Sequence, residues 1–418
     1  MFNKFRGKHS EQKAKKLNRD VISYEEVPLE DYEEQSTKVS TIDAKKIIKI
    51  AIVLVVLALI IFIFANRSNL TPENISNWFT YDVLGQGGGQ GYPTQLVGTS
   101  VEKNNITSSG NTLSYASDTS FVTLSSNASE IQNYQLNYAT PAMASSGNNV
   151  IVYSLGGTTY DVGTTNEITH SGKTEEEIYA CDISSSGVYG VVTNTSGYLS
   201  KLYIFNKDNK QIYAYSFSDY YVTALSINPD GTQCVATGIS ANGGTITGAI
   251  YVLDFTKEEP VSVNQITDNT IYKAEYLTGN EVCLIGNTSS LVLNIADNKL
   301  TEQSYNQMTL TAYDVNESTG NYAVSLSRSG DGHSCSLQVI NARGELIAET
   351  ETEFKISALT LFKGNIYILE NSTVHCFDFN KNELSKGDSG NGAKQIEITS
   401  DGSVYVLGVN EIRKIEMK

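Results

Sequence analysis

"YVTALSINPDGTQCVATG", Tyr221 to Gly238, is the stretch on which the fold turns. Apolar and polar residues alternate up to Ile227, and a period of two places one set of side chains on one face of a strand. Asn228-Pro229-Asp230-Gly231 then supplies turn chemistry: proline presets φ, and glycine accepts a left-handed backbone. Apolar residues return at Cys234 and Val235. Strand, turn and strand form a hairpin, and the question is whether it stands alone.

It recurs along the chain. "NNITSSG" ends at Gly110, "PAMASSG" at Gly147, "ACDISSSG" at Gly187 and "ALSINPDG" at Gly231. "AEYLTG" ends at Gly279, "AYDVNESTG" at Gly320, "ALTLFKG" at Gly364 and "IEITSDG" at Gly402. The glycines are 37, 40, 44, 48, 41, 44 and 38 residues apart. Each repeat adds an alternating strand that ends in Asn or Asp, as in "KLYIFNKD" (Lys201–Asp208), "AIYVLDFT" (Ala249–Thr256) and "VHCFDFNK" (Val374–Lys381). An edge strand such as "VSVNQIT" completes four. A period near 40 with strand content of period two predicts β-propeller blades rather than helical repeats.

A four-stranded blade buries its faces only against neighbours, so the ring must close. The last repeat, "KQIEITSDG", "SVYVLGV" and "EIRKIEM", lacks an outer strand. "YPTQLVGTS" (Tyr92–Ser100) precedes the first repeat and is the spare. Pairing it with Glu411–Met417 fastens first blade to last and removes an open edge. The expectation is an all-β, eight-bladed β-propeller over 92–418. Seven blades is the alternative, if the weak first repeat is not a blade.

Composition agrees. Trp occurs once and Pro six times against 33 Gly and 25 Tyr, which favours short strands and many turns. Net charge is −16, divided as +3 over residues 1–67 and −19 over the rest. An acidic body repels phosphate backbones, so nucleic acid is not an expected partner. Cys181, Cys234, Cys283, Cys335 and Cys376 lie in or beside apolar runs without zinc spacing and read as buried small hydrophobes. A disulfide between neighbouring strands is the other reading.

"IIKIAIVLVVLALIIFIFA", Ile47 to Ala65, covers about 28 Å as a helix, close to a bilayer core. It has no polar face and begins too late for a cleaved signal, so it predicts an uncleaved transmembrane signal anchor in contact with the lipid bilayer. Basic residues cluster before it, and after Arg67 none occurs until Lys103. The positive-inside rule then puts the N-terminus in the cytoplasm and the propeller outside, at the plasma membrane. Residues 1–46 read as a disordered tail, basic up to Arg19 and acidic in "SYEEVPLEDYEEQS", serving topology or docking a partner. Residues 66–91 hold a juxtamembrane segment. Thr71 caps, Pro72 follows, and Ile75, Trp78, Phe79 and Val83 share a face. This short amphipathic helix either packs under the domain or lies in the membrane interface. "GQGGGQG" (Gly85–Gly91) reads as a flexible tether.

Three stretches together, "GYPTQLVGTSV", "YSLGGTTYDV" (Tyr153–Val162) and "GVYGVVTNTSGYLSKLYIFN" (Gly187–Asn206), resemble a family of single-span, propeller-like bacterial proteins classed as a domain of unknown function and common in Gram-positives. The repeats are also similar to WD-like and quinoprotein-like propellers. The Trp-Asp dipeptide is replaced by Phe205-Asn206, Leu253-Asp254 and Phe377-Asp378, and the quinoprotein blade tryptophans are absent. The resemblance carries over no catalytic residue.

Direct chemistry is sparse. His170, His333 and His375 are far apart in sequence, without metal spacing. "SRSGDGHS" brings Arg328, Asp331 and His333 together on a glycine-rich tip, and Glu175, Glu176 and Glu177 form a solvated run. "NKDNK" and "DNKL" lack a full calcium loop. No catalytic, cofactor or metal site is expected. The reading is a non-enzymatic binding or scaffold module at the cell envelope, holding a protein, peptide or wall polymer on a propeller face. The alternatives are an envelope sensor and, less favoured, a carbohydrate-active enzyme. Clustered carboxylates or histidines at the central mouth would favour the enzyme; an aromatic rim would favour binding.

Overall fold

Asn228 closes the turn encoded by the opening stretch. Its Oδ1 accepts from the N–H groups of Thr232 (2.8 Å) and Gln233 (3.0 Å), and Gly231 sits at φ +69°. Tyr221–Ile227 and Gln233–Asn242 pair antiparallel, with Ile227 opposite Cys234. Thr245–Asp254 and Ser262–Thr267 complete a four-stranded sheet. The structure is a computed structural model describing residues 44–65, 70–242, 244–328 and 334–418.

This sheet is the fourth of eight. The first runs from Ile106 to Gln135, the second from Pro141 to Lys173, and the third from Ile178 to Phe217. The fifth covers Ile271–Ser304, the sixth Thr309–Thr352, and the seventh Ala358–Asp388. The eighth joins Gln395–Ile398, Val404–Leu407 and Glu411–Ile415 to Thr94–Gln95. All eight are four-stranded and antiparallel, so eight blades stand and seven do not. Seven of the eight repeat glycines have positive φ, which explains why glycine marks the period; Gly279 is the exception.

In blades three, six and seven the Asn or Asp at the end of the third strand has a shared task. Asn206 Oδ1 accepts from the N–H groups of Asp208 (3.1 Å) and Lys210 (2.9 Å). Asn341 does the same for Arg343 and Glu345, and Asp378 for Asn380 and Asn382. Their side chains mimic a backbone turn and start the outer strand. The calcium-like look of "NKDNK" is this turn.

Closure occurs where the sequence places it. Thr94 lies opposite Ile412 and Gln95 opposite Glu411, and the Leu96 N–H donates to Asn410 O at 2.8 Å. Lys418 exchanges two 2.8 Å backbone hydrogen bonds with Lys386 on the outer strand of blade seven. The core lies between blades. Leu113 and Tyr115 of blade one pack with Tyr405, Leu407 and Ile412 of blade eight. Leu202 and Ile204 of blade three meet Leu225, Cys234 and Leu253 of blade four. All five cysteines are buried; Cys181, Cys234, Cys283 and Cys376 are free thiols, and burial pushes each of these four up.

Helix α1 spans Ala44–Ala65. Among the described residues no helix is long and apolar enough to cross a membrane. The span over Ile47–Ala65 therefore rests on the sequence, and the tail before residue 44 lies outside the described residues.

Helix α2 (Pro72–Asn77) is capped by Thr71, whose Oγ1 accepts from the Asn74 N–H at 3.2 Å. A wider π-helical turn, Trp78–Val83, follows. The glycine segment after it is not the free tether its composition suggests. Gly89 N–H donates to Ser129 Oγ (2.9 Å) and Gly91 N–H to Asn127 O (3.1 Å). A Cβ on Gly89 would stand 2.2 Å from Asn127 O, so glycine serves close backbone approach there.

Candidate functional site

The first strands of blades one to six and of blade eight wall a central channel of about 570 Å³. Charged residues enter it from several blades, and Lys103, just ahead of blade one, reaches it with Nζ donating to Ser357 O at 2.7 Å. Asp182 comes from blade three, Lys273 and Glu275 from blade five, and Asp314 from blade six, with Glu317 just beyond its strand; Glu397 comes from blade eight. Tyr153, Tyr179, Tyr272 and Tyr313 supply aromatic surface.

Two carboxylates stitch the ring. Asp182 Oδ2 accepts from the Ile227 N–H at 2.7 Å, linking blades three and four. Asp314 Oδ2 accepts from the Leu361 N–H at 2.8 Å, linking six and seven. Ser226 Oγ takes the Tyr276 N–H at 3.1 Å, and Thr360 Oγ1 donates to Ile396 O at 2.9 Å. Side chains thus satisfy inner-strand backbone groups that no neighbouring strand reaches.

The rest form an electrostatic centre. Lys273 Nζ lies 2.5 Å from Glu275 Oε2. Burial works against the Lys273 charge, but Glu275 and then Asp182 outweigh it and hold the ammonium above its ordinary pKa. Burial alone would raise Glu275; Lys273 beside it and a hydrogen bond with Glu317 bring it below the usual range. Burial and the Glu275 charge push Glu317 up, although its side chain is open to water at the mouth, which screens the effect. Burial, then Glu275, pushes Asp182 up to about 8, against Lys273 and the Ile227 N–H. Burial pushes Glu397 up to about 8, with Asp314 adding to it, and Asp314 itself up to about 6. Near neutrality the channel therefore holds one ion pair and several protonated carboxyls, and deprotonates across mildly alkaline pH.

The residues that stood out by sequence lie elsewhere. His375 Nδ1 is 2.7 Å from Glu383 Oε1, with its ring stacked between Phe354 and Phe377. His170 sits on the outer strand of blade two, and Glu175, Glu176 and Glu177 are exposed in the loop before blade three. Arg328 is exposed, 3.9 Å from Glu351, while Asp331 and His333 lie outside the described residues. Among the described residues no three His, Cys, Asp or Glu side chains are grouped to hold a metal ion. Motif spacing does not single out the channel carboxylates, yet a signal for them is in the repeats themselves. "ACDISSSG", "AEYLTG", "AYDVNESTG" and "IEITSDG" each place an acid inside an inner strand, where burial makes charge costly.

Residues 92–417 match a family described as "Family of unknown function (DUF5711)". The chain belongs to this family. The match begins and ends with the closed ring, from the outer strand of blade eight to its last residues. No curated protein matches. Among solved structures, Sqt1 of Saccharomyces cerevisiae superposes with TM-score 0.55 at 10% identity, covering 79% of this chain and 99% of that one. The C-terminal WD40 domain of Sif2 gives 0.55 at 12%, with coverage of 79% and 100%. A eukaryotic initiation factor gives 0.52 at 9%, covering 75% and 87%. At such identities the likeness shows a WD40-like propeller fold and nothing of activity.

Proposed function

We propose that this protein is a non-enzymatic binding module, anchored in the plasma membrane by Ile47–Ala65 with its propeller outside the cell. It engages a protein, peptide or wall polymer that presents amine or other cationic groups to the central channel. The observation that carries this reading is the convergence of five carboxyls from four blades, against two lysines, Lys103 and Lys273, in one open channel edged by tyrosines. Acidic and aromatic surfaces together hold cations by charge and by ring faces. The net −19 beyond residue 67 favours the same partner at longer range.

Clustered carboxylates also favour an enzyme, but their engagement supports the binding reading. Asp182 and Asp314 are occupied by backbone N–H groups. Glu275 is held by Lys273 Nζ at 2.5 Å. A bound cation would draw protons off the raised carboxyls, so binding should tighten from pH 6 to pH 9 and weaken with salt. The test is calorimetric titration of the detergent-solubilised chain with lysine-rich and glutamate-rich peptides of equal length. Selective binding of the cationic peptide, lost in E275Q/E317Q, supports the proposal. Equal binding of both peptides, or turnover of a polysaccharide, overturns it.

A further inference from the structure

The juxtamembrane helix is amphipathic in the reverse sense for a water-soluble protein. Its polar side chains face the propeller: Asn74 and Asn77 are 6% and 8% exposed. Asn77 Nδ2 donates to Asn166 Oδ1 at 3.0 Å, and Asn148 Nδ2 donates to the capping Thr71 Oγ1 at 2.6 Å. Asp82 accepts from Asn111 Nδ2 at 3.1 Å and from Ser126 Oγ. These contacts fasten the segment to turns of blades one and two. The apolar face is left outward: Ile75 is 48% exposed, Phe79 and Val83 50%, Trp78 and Leu84 51%. A surface helix in water buries the opposite face.

We infer that Ile75, Trp78, Phe79, Val83 and Leu84 form a foot that inserts into the interfacial layer of a lipid bilayer. The inference rests on the anchored reading above. Two observations select lipid over other covers. Six residue steps separate Ala65, the end of the apolar run, from Thr71, at most about 22 Å of chain. A membrane crossed by that run is thus always within reach of the foot. The foot is also aromatic and aliphatic without a basic residue, since no Lys or Arg occurs between Arg67 and Lys103. That chemistry suits the boundary between headgroups and acyl chains of neutral lipid, where tryptophan concentrates. Insertion would present the turns of blades one and two to the bilayer and restrict tilting of the ring.

Trp78 is the single tryptophan of the chain and reports the foot directly. The full-length protein is reconstituted in neutral phosphatidylcholine vesicles containing lipids brominated near the headgroup or deep in the chains. Vesicle flotation is read beside Trp78 emission. The expected result is co-flotation, blue-shifted emission relative to the denatured chain, and stronger quenching by the shallow bromine. F79N/V83N, which alters only outward side chains, should return Trp78 to water-quenchable emission while the protein still floats and keeps its Tm. Co-flotation with Trp78 open to acrylamide and insensitive to bromine overturns the foot and leaves the anchor standing. Blue-shifted emission without bromine quenching means that a second copy or another protein covers the face, and also overturns it. Failure to float overturns the anchor, and the foot with it.

Discussion

Ile227 shows what a single position decides in this ring. It is 4% exposed, lies opposite Cys234, and its N–H is held by Asp182 from the preceding blade. Ile227→Asp would bury a charge without a partner and should cost about 3–5 kcal/mol, read as a lowered urea midpoint. Little change would mean the position reaches water. The partner gives a finer comparison. Asp182→Ala orphans a buried N–H and should cost about 1–3 kcal/mol, whereas Asp182→Asn keeps an acceptor and should cost much less. Equal losses would place the role of Asp182 in its charge rather than in stitching. The burial of Ile227 was legible in the alternation of its strand. Its bond to Asp182 was not, because the two lie 45 residues apart and meet only once adjacent blades pack.

At the scale of elements, the ends of the chain do the most. Thr94–Gln95 is a two-residue strand, yet it completes a blade whose other three strands come from the last residues of the sequence. Removing residues 396–418 would take Ile396, Val404, Val406 and Ile412 out of two inter-blade cores and open an edge on both sides of the gap. The truncated protein should lose the folded propeller as one cooperative unit, seen by circular dichroism and by the absence of a melting transition. Retention of the full-length Tm would show that the ring does not depend on this closure. Blade count and closure were readable because glycine turns and a missing outer strand are local signals of a global constraint. The glycine segment misled for the same reason. Composition shows that Gly89 is free to adopt many backbone conformations, but not that Asn127 and Ser129 require a residue without a side chain there.

The whole molecule carries an electrostatic signature of its channel. Asp182 and Glu397, pushed up to about 8 by burial, keep protons in the folded state that an unfolded chain releases near pH 4. Between those limits the folded state binds more protons, so stability falls as pH rises and is lost through about pH 8. Surface carboxylates held low by hydrogen bonds, such as Asp254 and Asp378, act in the opposite sense and only in stronger acid. The window from pH 5.5 to pH 7.5, below the range in which the thiols of an unfolded chain ionise, therefore isolates the channel, and Tm should be a few degrees higher at its acidic end. Glu397→Gln removes one of these protons without removing an acceptor and should flatten the slope in part, leaving the low-pH Tm nearly unchanged. A Tm constant across the window, or a slope that E397Q leaves intact, would mean that the channel carboxyls stay ionised and hydrated. That outcome would give a cationic partner a fully charged site at every pH and abolish the expected tightening of binding in alkali. Melting curves and peptide titration thus test the same protons, one without a ligand and one with it.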